Sequence, residues 1–396
     1  MKKVIRWSCV AGVVVGVQFS AGLALGTTPC DELRAFEAAG APTGGVMTPE
    51  VASQWAVRLL AAVDAAPDGE CAFSLRTAAI VSLTQAGDAR GAAEVAGVGL
   101  AHETDPIRRA LLANNFIGVR TRGMAHPDHA ARVECRAAAL AGLEGVPALD
   151  DLLVADRFED IATLMPLHRV VASTMPADAR GAALESLLAR CEAINEAGRT
   201  RILREPVRFD QNGLVRELLE VRLGESNPQA ASLLALIGRA LDRDGQPTRS
   251  RLLGQAVRDQ RVPRDVREAM VADAPEAYCP PGQRASLSYT LTLEAYRQTR
   301  HSTDQAELAA VDDLAGRTWA LIRHAEELAG GPGALPEGVD SASQWEGIVS
   351  SLLTTRWMLT RTRLDRPEVA EESAREHVRR FPQRNPSSAM ALRLER

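Results

Sequence analysis

His126, His129 and Cys135, in the stretch HPDHAARVEC, are the first residues whose types suggest chemistry, because imidazole nitrogens and a thiolate are zinc donors. A zinc site needs its donors to converge on one point. Pro127 starts a helix here, which puts His126 at the cap, His129 in the first turn and Cys135 almost two turns further on. The outer donors diverge and no fourth one is near, so a plain helix start is the stronger reading and no metal is expected. The stretch ALDRDGQP carries Asp242, Asp244 and Gly245 in the order of a calcium loop. Such a loop needs another acid two residues upstream and a glutamate six after the glycine. Ala240 and Arg251 stand at those positions. A helix ending at Gly245 is the expectation.

Paired carboxylates can share acid and base roles when both face one cleft. Adjacent pairs occur at Asp150-Asp151, Glu159-Asp160, Asp312-Asp313, Glu326-Glu327 and Glu371-Glu372. Neighbours on a helix point about 100° apart, so these are read as mostly solvated faces. The sequence holds no G-x-S-x-G, H-E-x-x-H, G-x-G-x-x-G or C-x-x-C. AHET, at 101–104, lacks the second histidine of a zincin. No catalytic residue and no cofactor emerge.

Aromatic residues are unevenly placed. Tyr278, Tyr289 and Tyr296 are the only tyrosines, and Trp319, Trp345 and Trp357 follow them. Aromatics anchor binding surfaces but also fill cores. The two-sided apolar pattern around Trp345 and Trp357 puts those two inside. Tyr289 and Tyr296, seven apart and beside Arg297, are the candidates for a partner-facing patch.

No lysine occurs after Lys3. A chain without lysine beyond its start has no Schiff-base lysine and no phosphate-loop lysine. Lys2, Lys3 and Arg6 precede an apolar run and small residues up to Gly26, the layout of a secretory signal peptide. Cleavage before Thr27 is expected, giving residues 1–26 as the signal; the competing reading is an uncleaved membrane anchor. Removing those three of the 46 basic residues leaves 43 against 51 acidic ones, a charge near −8. That balance makes nucleic acid an improbable partner. Five cysteines remain beyond the signal: Cys30, Cys71, Cys135, Cys191 and Cys279. Cys30 and Cys71 flank the first helical segment and are the disulfide candidate in an exported chain. Cys135 and Cys191 lie in apolar helical patterns, as buried small hydrophobes.

The elements that must position these residues are helices. X-Pro pairs open apolar runs of helical period at residues 48, 105, 126, 227, 246, 262, 366 and 385. Thr48, Asp105 and Asn227 are suitable caps, and Gly87, Gly245 and Gly330 suitable stops. Ala230, Leu234, Ile237 and Leu241 form one stripe. Val311, Leu314, Thr318, Leu321, Ala325 and Leu328 form a longer seam. Only ASLSYTLTLEAY, at 285–296, alternates with a strand's period, and it also reads as a helix start.

The fold class expected is all-α, with antiparallel helix pairs stacked as an irregular α-solenoid or array. QAGDARGAAEVAGVGLAHETDP (85–106) resembles the turn and second helix of a tetratricopeptide repeat, with its Gly87-Asp88 turn, small Ala92 and exit Pro106. LDRPEVAEESAREHVRRFP (364–382) is similar, through Ala370, Ala374 and Pro382. The resemblance implies a scaffold that binds a protein or peptide partner. YCPPGQ and the Gly/Pro-rich linker LAGGPGALPEGVDSASQ divide the expected organisation into a helical array over 27–278 and a C-terminal helical part over 279–396. The expected function is an exported, periplasmic or secreted, interaction scaffold. The alternative is an all-α enzyme or ligand-binding protein with a pocket in the aromatic-rich C-terminal part.

Overall fold

A computed structural model describes residues 30–39, 47–67, 71–124, 127–200, 210–242 and 247–383. Residues 1–26, expected to be a signal, and His126, Asp244 and Gly245 lie outside the described residues. The chain is all-α: helix accounts for 76% of the described residues, and no strand occurs among them. The ambiguous stretch 285–296 is helical. Helices pack as neighbouring pairs in two compact units that divide at Leu214/Val215.

The first unit holds α1 (Asp31–Ala38), α2 (Pro49–Ala65), α3 (Ala72–Ala86), α4 (Ala89–His102), α5 (Pro106–Arg120), α6 (His129–Gly142), α7 (Leu149–Val154), α8 (Phe158–Ser173) and α9 (Ala177–Thr200). From α2 to α6 each helix packs on the next, and alternate helices also touch, α3 on α5 and α4 on α6. This is the contact pattern of hairpins stacked side by side. Local sequence sets the hairpins. Thr48 and Asp105 accept hydrogen bonds from the Val51 and Arg108 N–H groups, and Pro49 and Pro106 occupy the first helical positions. Gly87 ends α3 at φ +86°, a conformation that favours glycine, and Asp88 then caps α4 through the Gly91 N–H. Ala92 and Ala96 are fully buried against their neighbours. At Gly142 a Cβ would stand 2.6 Å from Ala113 Cβ, so only glycine lets α6 approach α5 this closely.

Cys30 and Cys71 are joined in a disulfide, with Cα atoms 5.6 Å apart. It ties the start of α1 to the start of α3. Phe36 of α1 is buried with Leu59, Val63, Leu75 and Ala79, its ring edge-on to Trp55 at 5.5 Å.

α10 (Gln211–Leu223) spans the division. The second unit continues with α11 (Ala230–Gly238), α12 (Thr248–Arg258), α13 (Arg264–Asp273), α14 (Pro281–Gln298), α15 (Gln305–Leu328), α16 (Ala342–Thr362) and α17 (Pro367–Arg380). α14 packs on α15 and α16 packs on α17, while α16 also touches α14 and α15. Ala285, Ala315, Trp319, Ile322, Ala325, Trp345, Val349, Leu352 and Leu353 make its core.

Several expectations change. The break anticipated at 278/279 falls inside the second unit, where Cys279 is fully buried and the Tyr278 hydroxyl donates to the Leu234 carbonyl. The Gly/Pro-rich stretch read as a linker is a packed loop. Val339 lies on the core, and the Gly282 N–H donates to the Glu337 carbonyl at 3.1 Å. Asn227 caps nothing, because α11 begins three residues later at Ala230. Asp128, not His126, caps α6, accepting from the Ala131 N–H at 2.7 Å. Of the α15 seam, Val311, Leu314, Thr318 and Ala325 are buried and Leu321 half-buried, while Leu328 is 62% exposed.

Trp345 and Trp357 are both buried, as their two-sided pattern implied. Trp357 packs on the small residues Ala370 and Ala374, which let α17 lie close to α16. Trp357→Ala is expected to lower the unfolding free energy by about 3 kcal/mol, the cost of a large cavity with limited collapse. Urea denaturation of the full chain measures it, and a change under about 1 kcal/mol would place the ring outside the core.

Candidate functional site

The C-terminal half of the second unit carries a groove of about 720 Å³, lined by the end of α15, the loop residue Pro332 and one face of α17. Its base is a buried ion pair. Glu326 is 2% exposed and its carboxylate accepts from Arg380 Nη1 at 2.6 and 2.7 Å. Trp345 Nε1–H donates to the same carboxylate at 3.2 Å and the Gly333 N–H at 3.4 Å. The Arg380 guanidinium also lies 4.9 Å from the centre of the Trp319 ring. Four elements therefore meet at one carboxylate: α15, the 329–341 loop, α16 and α17.

The walls are charged. Glu376 binds both Arg379 and Arg380, and Glu371 binds Arg375 one turn on. Burial works to raise the Glu376 carboxyl, but its hydrogen bonds to Arg379 and Arg380 outweigh this and hold it below its ordinary value. Glu327, Glu368 and Glu372 also line the groove, as does Arg323. Ser350 and His377 Nε2 are hydrogen-bonded at 2.9 Å below the α17 wall.

A second, more open recess is built on Arg267, whose side chain is 4% exposed. It grips Glu294 through two hydrogen bonds of 2.7 and 2.8 Å and donates to the Val257 carbonyl, linking α12, α13 and α14. These Arg267 hydrogen bonds hold the Glu294 carboxyl below its ordinary 4.5. A depressed carboxylate contributes stability that is present above its unfolded pKa and lost as pH falls through the folded one. The stability gap between wild type and Glu294→Gln is therefore expected to be largest near neutral pH and to shrink below about pH 4.5. Urea midpoints across that range measure it; a gap independent of pH would contradict it.

The residues singled out from sequence are placed as follows. Tyr289 is half-buried on the α15–α16 core and its hydroxyl donates to Ser351 at 2.8 Å. Tyr296 is half-buried and Arg297 exposed at the end of α14. They do not line the groove. His129 is exposed and Cys135 buried, on different sides of α6. Asp242 accepts from the Arg249 N–H at 3.0 Å as a turn residue. Burial pushes the Cys191 thiol up to about 12, Cys279 to about 11 and Cys135 in the same direction, which suits inert packing more than reactivity. The reading of the acidic pairs as mostly solvated faces misses Asp312 and Glu326, both buried and arginine-bound. Their signal is positional: Glu326 stands four residues after Ile322 and seven after Trp319, on the buried stripe of α15.

No protein-family model matches the chain, and no curated protein matches it significantly.

Proposed function

We propose that this protein is an exported helical scaffold that binds a protein or peptide partner through the groove beside α17. The observation that carries this reading is the groove itself. Its two helical walls are fixed from beneath by the Glu326–Arg380–Trp345 network, so the surface is preorganised and loses little freedom on binding. Its exposed rim of long charged side chains suits a partner segment laid along a helix face more than an enclosed small ligand. The α3–α4 hairpin, with Gly87 at the turn and Ala92 in the contact, supports the tetratricopeptide-like reading of the first unit. The Cys30–Cys71 disulfide fits an oxidising compartment outside the cytosol.

Export carries its own prediction. A mature chain starting near Thr27 has one primary amine, its N-terminus, because lysine is confined to positions 2 and 3. Amine-specific labelling should add a single group to the intact mass. Further adducts would mean that Lys2 and Lys3 are retained and the segment is an anchor. Binding is tested by affinity purification of the exported protein with native mass spectrometry. Reproducible protein partners are expected; a tightly bound small molecule without them would favour the ligand-binding alternative.

A further inference from the structure

Cys30 and Cys71 stand at equivalent places. Each is the N-cap residue of its helix, Cys30 of α1 and Cys71 of α3, and neither helix start is capped by a side-chain hydrogen bond. The N–H groups that open a helix favour negative charge. A cysteine at such a position is a good leaving group in thiol exchange, because the departing sulfur carries that charge. Both residues are partly exposed, so a reductant can reach the bond. Cys135, Cys191 and Cys279 are poor competitors in such an exchange, being buried thiols that burial pushes up.

What holds α1 besides the bond is slight. The helix is eight residues long, and Phe36 is its buried side chain. Phe36 and the partly buried Leu33 rest on Leu59, Val63, Leu75, Ala78 and Ala79. The Arg58–Glu32 pair is open to solvent, which weakens it. Ordering eight backbone residues costs more than burying one phenylalanine returns. By contrast α2 packs along α3, and α3 on α4, through faces that α1 does not supply.

We infer that the Cys30–Cys71 bond is an exchangeable clasp: a dithiol opens it, α1 leaves, and the apolar end of the α2–α3 hairpin is uncovered while α2 to α6 stay folded. One thiolate of the reductant attacks a cysteine sulfur and forms a mixed disulfide, releasing the other cysteine as a thiolate at its helix start. The second sulfur of the reductant then displaces the first cysteine and leaves as a cyclic disulfide. Two electrons pass to the protein, and the two protons of the dithiol complete its thiols. Excess oxidised dithiol reverses the step and returns Phe36 to its seat.

The test treats the folded full chain with dithiothreitol in the absence of denaturant, alkylates with iodoacetamide and maps the adducts by peptide mass. Cys30 and Cys71 should be modified, and Cys135 and Cys191 of the same unit should not. Unmodified Cys30 and Cys71 would mean that the bond is closed to exchange in the folded protein. Modified Cys135 and Cys191 would mean that the bond staples the whole unit. Either result overturns the inference. Trypsin then reads α1 directly. Cleavage after Arg34 should speed up about tenfold or more over the oxidised chain, since it tracks the population of the open form. Arg76, buried in α3, should stay protected. Cys30→Ser/Cys71→Ser carries no alkyl group and should show the same fast cleavage without reductant. Slow cleavage after Arg34 in that variant would show that α1 stays docked without the bond, and the release would be overturned. Excess oxidised dithiothreitol, added before alkylation, should restore the slow cleavage; a rate that stays high would overturn the clasp as a reversible device.

Discussion

Arg380→Ala lowers the unfolding free energy by about 3–5 kcal/mol, the cost of leaving a buried charge without its partner. Glu326 is 2% exposed and Arg380 9%, so neither can turn to water without moving α17. With Arg380 gone, the carboxylate keeps only the Trp345 indole and the Gly333 N–H as donors. Glu376 and the Trp319 ring lose their contacts to the same guanidinium. The exposed pair Arg375–Glu371 is the control: Arg375→Ala should change stability by less than about 1 kcal/mol, because solvent screens that pair and its side chains are free to reorient. Glu326→Leu/Arg380→Leu should recover most of the loss, since an apolar pair of similar bulk carries no desolvation cost. Guanidinium unfolding of the three variants separates these effects. A mild Arg380→Ala would mean that the network is wet, and the groove would then lack its rigid base.

Cys30→Ser/Cys71→Ser is the second large effect, expected to cost about 4 kcal/mol. The bond closes a separation of 41 residues. Chain-entropy scaling puts such a loop between the roughly 3 kcal/mol of a 15-residue loop and the roughly 4.7 of a 100-residue one. The native side adds to this. α1 has only eight residues, too short to persist alone in water. Beyond the disulfide it is held by Phe36 and by the exposed Arg58–Glu32 pair. Its loss should therefore appear locally as well as globally. Hydrogen exchange across 31–38 should rise toward the unstructured rate while α4 to α6 keep their protection. Unaltered exchange in α1 would show that Phe36 and the Arg58–Glu32 pair suffice to dock it.

Sequence made the helices legible where proline, caps and apolar period agree at a start. Pro49 and Pro106 stand at first helical positions, and Thr48 and Asp105 cap them. It failed where tertiary contacts override local cues. The stretch 328–344 has a linker's composition, yet its backbone pairs with α14 through the Gly282 N–H, a contact that no local pattern encodes. The boundary expected at YCPPGQ failed for the same reason, since Tyr278 and Cys279 bury against elements distant in sequence. The groove was half legible. Glu326 sits on the period of the α15 seam, but its partner Arg380 is 54 residues away. Nothing local distinguishes that arginine from Arg379 beside it. Tyr289 is another long-range case: its hydroxyl donates to Ser351, 62 residues away, a contact that its own helical face does not signal.

The proposed scaffold function rests on whether the groove captures partners. Proximity labelling from the full-length chain should give a reproducible partner set in the wild type. Glu327→Gln/Glu368→Gln/Glu372→Gln should lose most of that set while circular dichroism and the melting temperature stay unchanged. An identical partner set from the two proteins, at equal export, would contradict the groove as the binding surface.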